Sequence, residues 1–154
     1  MKTLLRPLLT VLLVAAAVPA LAAGAADDVE VLDPYVRAMP PGQPNTAAFM
    51  VLENRGDSAH AVVEAASPVS KIVELHTHIH DGGMMRMRQV ERFDIEAGGR
   101  TLLQPGGLHI MLIELHEVLE PGTEVPVTLT FEDGSEKTVQ APVRHIAQPM
   151  MRGH

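Results

Sequence analysis

The sequence predicts an all-β protein, an antiparallel sandwich or barrel, and three observations support this fold class. Short strand-like segments alternate with Gly- and Pro-rich turns from residue 29 onward. No stretch keeps a 3.6-residue apolar period over a dozen residues, as a long amphipathic helix would. The turns also recur at the short spacing that is typical of β-sandwiches.

The predicted strands are short, and most are bounded by recognisable turn residues. In chain order they cover residues 29–38, 46–53, 60–65, 71–78, 85–93, 101–103, 109–115, 125–131 and 137–143. The clearest turn is Asp81-Gly82-Gly83, because Asp-Gly and Gly-Gly are strong hairpin signals. This turn would pair the strand that ends near His78 with the strand that begins at Met85.

The N-terminal residues 1–25 are typical of a secretory signal peptide. Lys2 and Arg6 precede an apolar run over residues 7–21, and small residues follow with A-x-A character. Cleavage after Ala22 or after Ala25 is compatible with this pattern. A membrane anchor is the alternative, but the apolar run is short for a span of about 20 residues. We therefore expect an exported, periplasmic protein without a stable membrane span.

What remains after such cleavage is about 130 residues, enough for one domain with its own core. We assign residues 26–144 to that domain and residues 145–154 to a flexible tail rich in His and Met. Loss of Lys2 and Arg6 with the signal lowers the formal charge from −7 to −9. No basic cluster remains, which argues against a nucleic-acid partner.

The residues that carry most chemical information are His76, Met87, His109 and Met111. Ten residues separate His76 from Met87, and twenty-one separate Met87 from His109, which begins an H-x-M pair. Thioether sulfur selects Cu(I), and imidazole suits it. The chain has no cysteine. Thioethers cannot form disulfides, so methionine is the more durable soft ligand in an oxidising compartment.

Strand geometry could bring these four side chains together. Alternate residues of a strand face one side of the sheet, so His109 and Met111 are neighbours on one face. If residues 81–83 turn the chain, imidazoles of the strand ending near His78 approach thioethers of the strand beginning at Met85. The H-x-M strand could then complete a shell of two nitrogens and two sulfurs.

Other His and Met residues have simpler interpretations. Met50 is expected in the core, as buried methionines usually are, and Met39 is left open as a loop residue near the site. We expect His60 and His116 to be surface histidines. Accessory metal ligands are considered among His78, His80, Met85, His145, Met150, Met151 and His154.

Zinc is the competing metal for the His-rich hairpin. His76, His78 and His80 could bind it together with Asp81. Thioether is a poor zinc ligand, however, so zinc would leave Met87 and Met111 unexplained.

The pattern H-x10-M-x21-H-x-M resembles the periplasmic copper(A) chaperone family, PCuAC. Further phrases are similar to that family over about residues 31–143: PNTAAFM at 44–50, VELH at 73–76, MRMR at 85–88, AGG at 97–99 and PGGLHIML at 105–112. One departure is His78, since the family often has Met two positions after the first motif histidine.

The resemblance implies a cupredoxin-like antiparallel Greek-key β-sandwich with Cu(I) held by the four motif residues. It implies delivery of copper toward the CuA site of cytochrome c oxidase, directly or with Sco-like thiol proteins. It also implies Cu(II) binding by a His/Met-rich tail. The added imidazole of His78 could shift the metal preference of the hairpin toward Cu(II) as well.

The leading hypothesis is a monomeric copper carrier rather than an enzyme. The chain has neither a cysteine for a blue-copper centre nor a second ligand set for a trinuclear cluster. The alternative within metal biology is storage or detoxification, in which hairpin and tail hold several ions. A scaffold sandwich with incidental His and Met is the remaining alternative, and it would show no specific metal affinity.

Overall fold

The computed structural model describes residues 23–146, and it confirms the predicted all-β sandwich. A single helical turn precedes ten strands. In chain order these elements are α1 (Ala25–Asp28), β1 (Val29–Arg37), β2 (Thr46–Asn54), β3 (His60–Ala66), β4 (Ser70–Asp81), β5 (Met84–Gln89), β6 (Phe93–Ile95), β7 (Arg100–Leu103), β8 (His109–Leu115), β9 (Glu124–Phe131) and β10 (Glu136–Arg144). Within residues 23–146 no helix has the length and apolarity that a membrane crossing requires.

The strands form two packed layers that are connected along one hydrogen-bonded path. The first layer has the order β5-β4-β8-β2-β1, and β7 pairs with β2 beyond the end of β8. The second layer has the order β10-β9-β3-β6. The layers join where β1 and β10 run parallel, at Val36↔Val143 and Arg37↔Arg144. This pair departs from the otherwise antiparallel pattern.

The core lies between the layers and is built from alternate residues of each strand. In β2 and β8 the inward residues are Ala48, Met50, Ile110 and Leu112, which belong to the buried apolar cluster. Burying such apolar surface is the main stabilising term, at about 25 cal/mol per Å². Met50 is 2% exposed, so the prediction that it is a core residue is confirmed.

The residues that alternate with these inward ones in β2 and β8 face away from this core. Ala47, Phe49 and His109 are buried without belonging to the core cluster, and Met111 is half-buried. They are covered from outside by the connection over residues 38–45 and by the turn at Pro105-Gly106. The first layer therefore has a second, smaller packed region on its outer face.

The hairpin predicted at Asp81-Gly82-Gly83 is confirmed. Asp81 pairs with Met84, and the two-residue loop between them consists of Gly82 at φ 58° and Gly83 at φ 81°. Two successive positive φ angles are the signature of a type I′ turn, which glycine adopts without steric cost. This turn fixes the register of β4 against β5.

The strand predicted over residues 85–93 is wrong in its extent. β5 ends at Gln89, and Phe93 starts the separate strand β6, which pairs with β3 in the second layer. The N–H of Val90 still donates to the carbonyl of Leu75 at 2.8 Å, in line with the hairpin register, and the chain leaves β4 after this residue. The buried side chains of Phe93 and Ile95 then enter the core, which the alternating pattern alone did not distinguish from a continuing strand.

The N-terminal turn α1 is attached to the sandwich by backbone donors. The N–H of Ala25 donates to Asp133 Oδ2 at 2.7 Å, and that of Ala26 donates to Ser135 Oγ at 3.0 Å. Ala25 is fully buried. A chain that began at Ala26 would lack Ala25 and its contacts, whereas one that began at Ala23 would keep them.

His60 also holds this region together, and its prediction as a surface histidine is wrong. Its side chain is 10% exposed, with Nδ1 at 2.7 Å from Glu132 Oε1 and Nε2 at 3.1 Å from Asp28 Oδ2. The hydrogen bond to Glu132 raises the pKa of His60 above its ordinary value, against the effect of burial. His116, by contrast, is exposed as predicted.

The carboxylate partner shifts in the opposite direction. Burial raises the pKa of Glu132, but hydrogen bonds from His60 and from the N–H of Ala61 outweigh it and hold the pKa below its ordinary value. The pair therefore stabilises the fold only while His60 is protonated and Glu132 is ionised.

We expect His60→Gln to lower the free energy of unfolding most between about pH 4.5 and pH 6.5. A histidine whose pKa is raised on folding contributes its full stabilisation of the fold below the unfolded-state pKa of 6.5. That contribution disappears as pH rises through the folded-state pKa. A carboxylate whose pKa is lowered on folding contributes its full stabilisation of the fold above the unfolded-state pKa of 4.5. That contribution is lost as pH falls through the folded-state pKa. Urea unfolding across this range measures the difference, with His116→Gln as control. A destabilisation that did not vary with pH would contradict the prediction.

Candidate metal centre

Strand register places the four motif residues on one face of the first layer. Across β4 and β8, His76 lies opposite His109, and Glu74 lies opposite Met111. Across β4 and β5, His78 lies opposite Met87. Directly opposed residues of antiparallel strands project to the same side. This face is the outer one, which is turned away from the inter-layer core.

A cavity of about 260 Å³ opens on this face. Its walls include Met39, Phe49, His78, Met87, His109 and Met111. Three of the motif residues therefore line the same hollow, together with His78. His76 does not line it, but its ring centroid is 5.7 Å from that of His109.

His109 is the most buried of the candidate ligands, at 2% exposure. Its Nδ1 lies 3.0 Å from the carbonyl of Gly107, which can only accept, so Nδ1 carries the proton in the neutral ring. Nε2 is then left with a free lone pair. It is buried and has no hydrogen-bond partner among the described residues.

The surroundings of His109 also keep it neutral. Burial lowers the pKa of His109 below its ordinary value, and nearby His78, His76 and Arg37 lower it further. The hydrogen bond to Gly107 opposes these effects only in part. Since a metal binds neutral imidazole, the ring is held in its ligating form.

His76 has a comparable arrangement with a different partner. Its Nε2 lies 2.7 Å from Glu74 Oε2, while Nδ1 is buried and has no partner in the part of the chain that the structure describes. Metal-ligating histidines usually donate their other ring N–H to such a carboxylate, which fixes the ring and its tautomer. Glu74 therefore holds the His76 ring in place, a contact that spacing alone did not identify.

His78 lies closer to His109 than His76 does. The ring centroids of His78 and His109 are 5.0 Å apart, and His78 Nδ1 lies 3.4 Å from the carbonyl of Gly107. The sequence suggested His78 only as an accessory ligand. In the structure its ring lines the cavity itself, beside His109, whereas His76 lies outside the cavity lining.

The two motif methionines differ in accessibility. Met87 lies on β5, the edge strand of the first layer, and is 55% exposed. Met111 lies on the interior strand β8 and is half-buried. Neither belongs to the hydrophobic core, unlike Met50. Their sulfurs are thus exposed to the outer cavity rather than engaged in core packing.

The accessory candidates are more scattered. His80 and Met85 form an exposed cross-strand pair toward the hairpin turn, on the same face but outside the cavity. His145 follows β10, is exposed, and lines separate surface hollows with Met39. Met150, Met151 and His154 lie outside the described residues.

A zinc site in the hairpin is not supported by the geometry. Within residues 23–146 no group of three or more His, Asp or Glu side chains converges closely enough to hold an ion. The His76-His78-His80-Asp81 set is therefore not a preformed cluster. The donors that do converge combine imidazole with thioether.

Aromatic and cationic side chains support His109 from β1 and β2, and the sequence analysis did not identify them. Tyr35 and Phe49 pack with ring centroids 5.3 Å apart, and Phe49 lies 6.3 Å from His109. Arg37 and Arg144 cover these rings at 5.6 Å and 5.5 Å. Such stacking keeps the wall beside His109 dry and fixed. The alternation of Phe49 with the core residues Ala48 and Met50 was the available signal for its outward direction.

Comparison with known sequences gives one family match. The model of the family described as "Putative lipoprotein LpqE-like" matches residues 29–143. The "Putative lipoprotein Lxx21020" of Leifsonia xyli subsp. xyli is 39% identical over 120 residues, which are 77% of this chain and 71% of that protein. The "Uncharacterized protein RP573" of Rickettsia prowazekii is 30% identical over 100 residues, 64% of this chain but only 55% of its own length.

Solved structures of similar fold include PCuAC domains. The copper-bound PCuAC domain from PmoF2 superimposes with a TM-score of 0.66 at 21% identity, covering 80% of this chain and 97% of that domain, which shows the shared fold. Apo-DR1885 from Deinococcus radiodurans is 34% identical with a TM-score of 0.63, over 95% of this chain and 98% of that protein. The predicted resemblance to PCuAC is confirmed.

We expect the His109 ring in the copper-free protein to remain neutral until pH falls below 6.5, because burial lowers its pKa. His60, whose pKa is raised, should gain its proton above 6.5 in the same titration. Ring ¹H–¹³C and ¹H–¹⁵N NMR shifts followed with pH would measure both, with each ring assigned by its absence from a single variant. Protonation of His109 at or above pH 6.5 would show that the ring is not held in a dry, neutral state.

Proposed function

Because the chain belongs to the LpqE-like family, we propose that it is an exported copper chaperone that holds Cu(I) and passes it on by ligand exchange. One observation carries the proposal: two buried imidazole nitrogens, His76 Nδ1 and His109 Nε2, have no hydrogen-bond partner among residues 23–146, and they lie on the face that presents the thioethers of Met87 and Met111. Leaving such nitrogens unpaired costs about 1–3 kcal/mol each, which a bound ion would offset.

The donor set suits Cu(I) better than other common ions. Soft thioethers select Cu(I), and neutral imidazole accompanies it. We assign His76, Met87, His109 and Met111 as ligands, with His78 able to replace or supplement His76 because it lines the cavity. DR1885 from Deinococcus radiodurans, 37% identical over 77% of this chain, has been solved with Cu(I). Every proposed ligand comes from one chain, so a monomer suffices.

Differences in burial suggest how the ion would leave. His109 and Met111 lie on an interior strand, whereas Met87 is more than half exposed on the edge strand β5. A partner would reach Met87 first and replace it, while the inner ligands keep hold of the ion. Thiolate binds Cu(I) more strongly than thioether does, so a cysteine-bearing acceptor would draw the ion outward.

Two exposed charges flank Met87 along the edge strand β5. Arg86 and Arg88 are exposed, and neither forms an ion pair with any described residue. They are the chain neighbours of Met87 in a sequence whose net charge is −7, and strand alternation directs them to the opposite face of β5. An acidic acceptor surface would therefore be steered toward the β5 edge that carries Met87. The CuA subunit of cytochrome c oxidase and Sco-like thiol proteins are the acceptors we propose.

Periplasmic location forms part of the proposal, with the signal peptide over residues 1–25 as its basis. Relatives named as lipoproteins support export. Residues 1–154 contain no cysteine, so attachment of a lipid through a cysteine thioether does not apply to them.

We propose that residues 145–154 capture further copper, including Cu(II), before it reaches the cavity.

Storage is the competing function, and stoichiometry separates it from transport. A single cavity lined by both methionines favours one tightly held ion. A storage protein would instead use His80, Met85 and the tail to hold several ions of similar affinity.

We expect the protein to bind one Cu(I) tightly in an anaerobic titration against a competing chelator. The Met87→Leu/Met111→Leu variant should lose more than about tenfold in affinity, since even outer-shell changes cost that much. Leucine keeps the apolar volume of each site and removes only the sulfur. Met84→Leu, on the same hairpin but outside the cavity, is the matched control and should bind as the parent does. Equal affinity in all three proteins, or several ions of similar affinity, would contradict the carrier proposal.

A further inference from the structure

We infer that Met39 is an exchangeable third thioether of this site, which takes the place of Met87 on the ion when a partner engages Met87. The inference rests on the proposed copper function and extends it to a residue outside the four-residue motif. Three features of Met39 carry it: its place in the cavity wall, its rigid presentation, and its position between the cavity and the outside.

Met39 lines the same cavity as Met87, Met111 and His109. It reaches the cavity from the connection between β1 and β2, whereas Met87 belongs to the edge strand β5. Met39 is half-buried but does not belong to the inter-layer core or pack against it. The usual interpretation of a buried methionine as core filler therefore does not account for it.

The backbone holds Met39 in a defined position. Just before it, the N–H of Ala38 donates to the carbonyl of Arg144 at 2.8 Å, which fixes the chain to β10. Just after it come Pro40 and Pro41, and a residue that precedes proline is restricted to extended conformations. The loop then turns at Gly42, with φ 88°. A residue fixed on both sides presents its side chain at low entropic cost.

Met39 also borders the outside of the site. It lines two surface hollows together with Pro40 and the exposed His145, and a third between the loop and residues 115–119. One side chain thus adjoins both the inner cavity and the surface hollows that His145 lines. A thioether at this junction is placed to hold an ion that is entering or leaving.

The proposed step is a simple ligand substitution. The bond from copper to Met87 sulfur breaks as the bond to Met39 sulfur forms, while His109 and Met111 remain bound. Both thioethers are neutral, so neither the charge nor the oxidation state of the copper changes and no proton moves. A ligand of the partner can then bind the ion at the position that Met87 has left, while Met39, His109 and Met111 still hold the copper.

A double-mutant cycle with Cu(I) as the probe tests this substitution. Met87→Leu should cost less affinity than Met111→Leu, because Met39 replaces the lost sulfur, and Met39→Leu, which leaves the four assigned ligands in place, should cost less still. The double variant should lose at least about tenfold more than the product of the two single losses. The matched cycle of Met84→Leu with Met87→Leu should show no such coupling. Copper K-edge X-ray absorption should find two sulfur ligands in Met87→Leu but one in the double variant.

The leucine variants distinguish a Met39 sulfur that binds copper from a Met39 side chain that only covers the cavity. Leucine preserves the apolar cover that Met39 provides, so a loss seen with leucine reports the sulfur. Independent losses in the cycle, or only one sulfur in Met87→Leu, would overturn the role of Met39. The copper proposal itself is tested separately by Met111→Leu. If that variant binds Cu(I) as the parent does, the proposed function fails regardless of Met39.

Discussion

The register of β4 against β8 is the constraint on which the candidate site depends. Because side chains alternate along a strand, a slip of one residue would turn His76 into the core and bring Leu75 to the outer face. The buried pair Leu75↔Ile110 prevents that slip, since both side chains fill the inter-layer core. The same ladder sets His76 opposite His109 one step further along. Core packing and site assembly are thus consequences of one pairing.

On the outer face, unlike in the core, burial encloses a polar side chain. His109 is as inaccessible as a core residue, yet one of its ring nitrogens has no partner in the described part of the chain, and burial lowers its pKa. Such a group lowers the stability of the empty protein. The Phe49 wall and the carbonyl of Gly107 keep the ring in place, and burial keeps it neutral. We interpret this as a ligand prepared in advance, so that little reorganisation accompanies binding.

Much of the fold could be predicted from the sequence because turn chemistry and alternation are local. The Asp81-Gly82-Gly83 hairpin and the strand His109–Leu115 were predicted with their observed positions. The break before Phe93 was not, because residues 85–93 alternate throughout and only the second layer determines where β6 belongs. His60 was misjudged for a similar reason: its carboxylate partners, Asp28 and Glu132, are distant in sequence.

The candidate site was predictable to the extent that it depends on spacing. The H-x-M pair and the hairpin predicted which residues would share a face, and the register agrees with that geometry. Three other features depend on side-chain directions and on a loop folded over the sheet. They are the position of His78 in the cavity wall, the hydrogen bond between Glu74 and His76, and the thioether of Met39. No local pattern encodes those contacts.

The sharpest test of the proposed ligand set is the NMR spectrum of the methionine methyl groups as Cu(I) is added without oxygen. The Met87 and Met111 methyl signals should shift together and saturate at one equivalent of copper. Met50 in the core and Met84 at the turn should not shift, although they belong to strands that pair with those of the site. Unchanged Met87 and Met111 signals, with copper bound elsewhere, would contradict this ligand set.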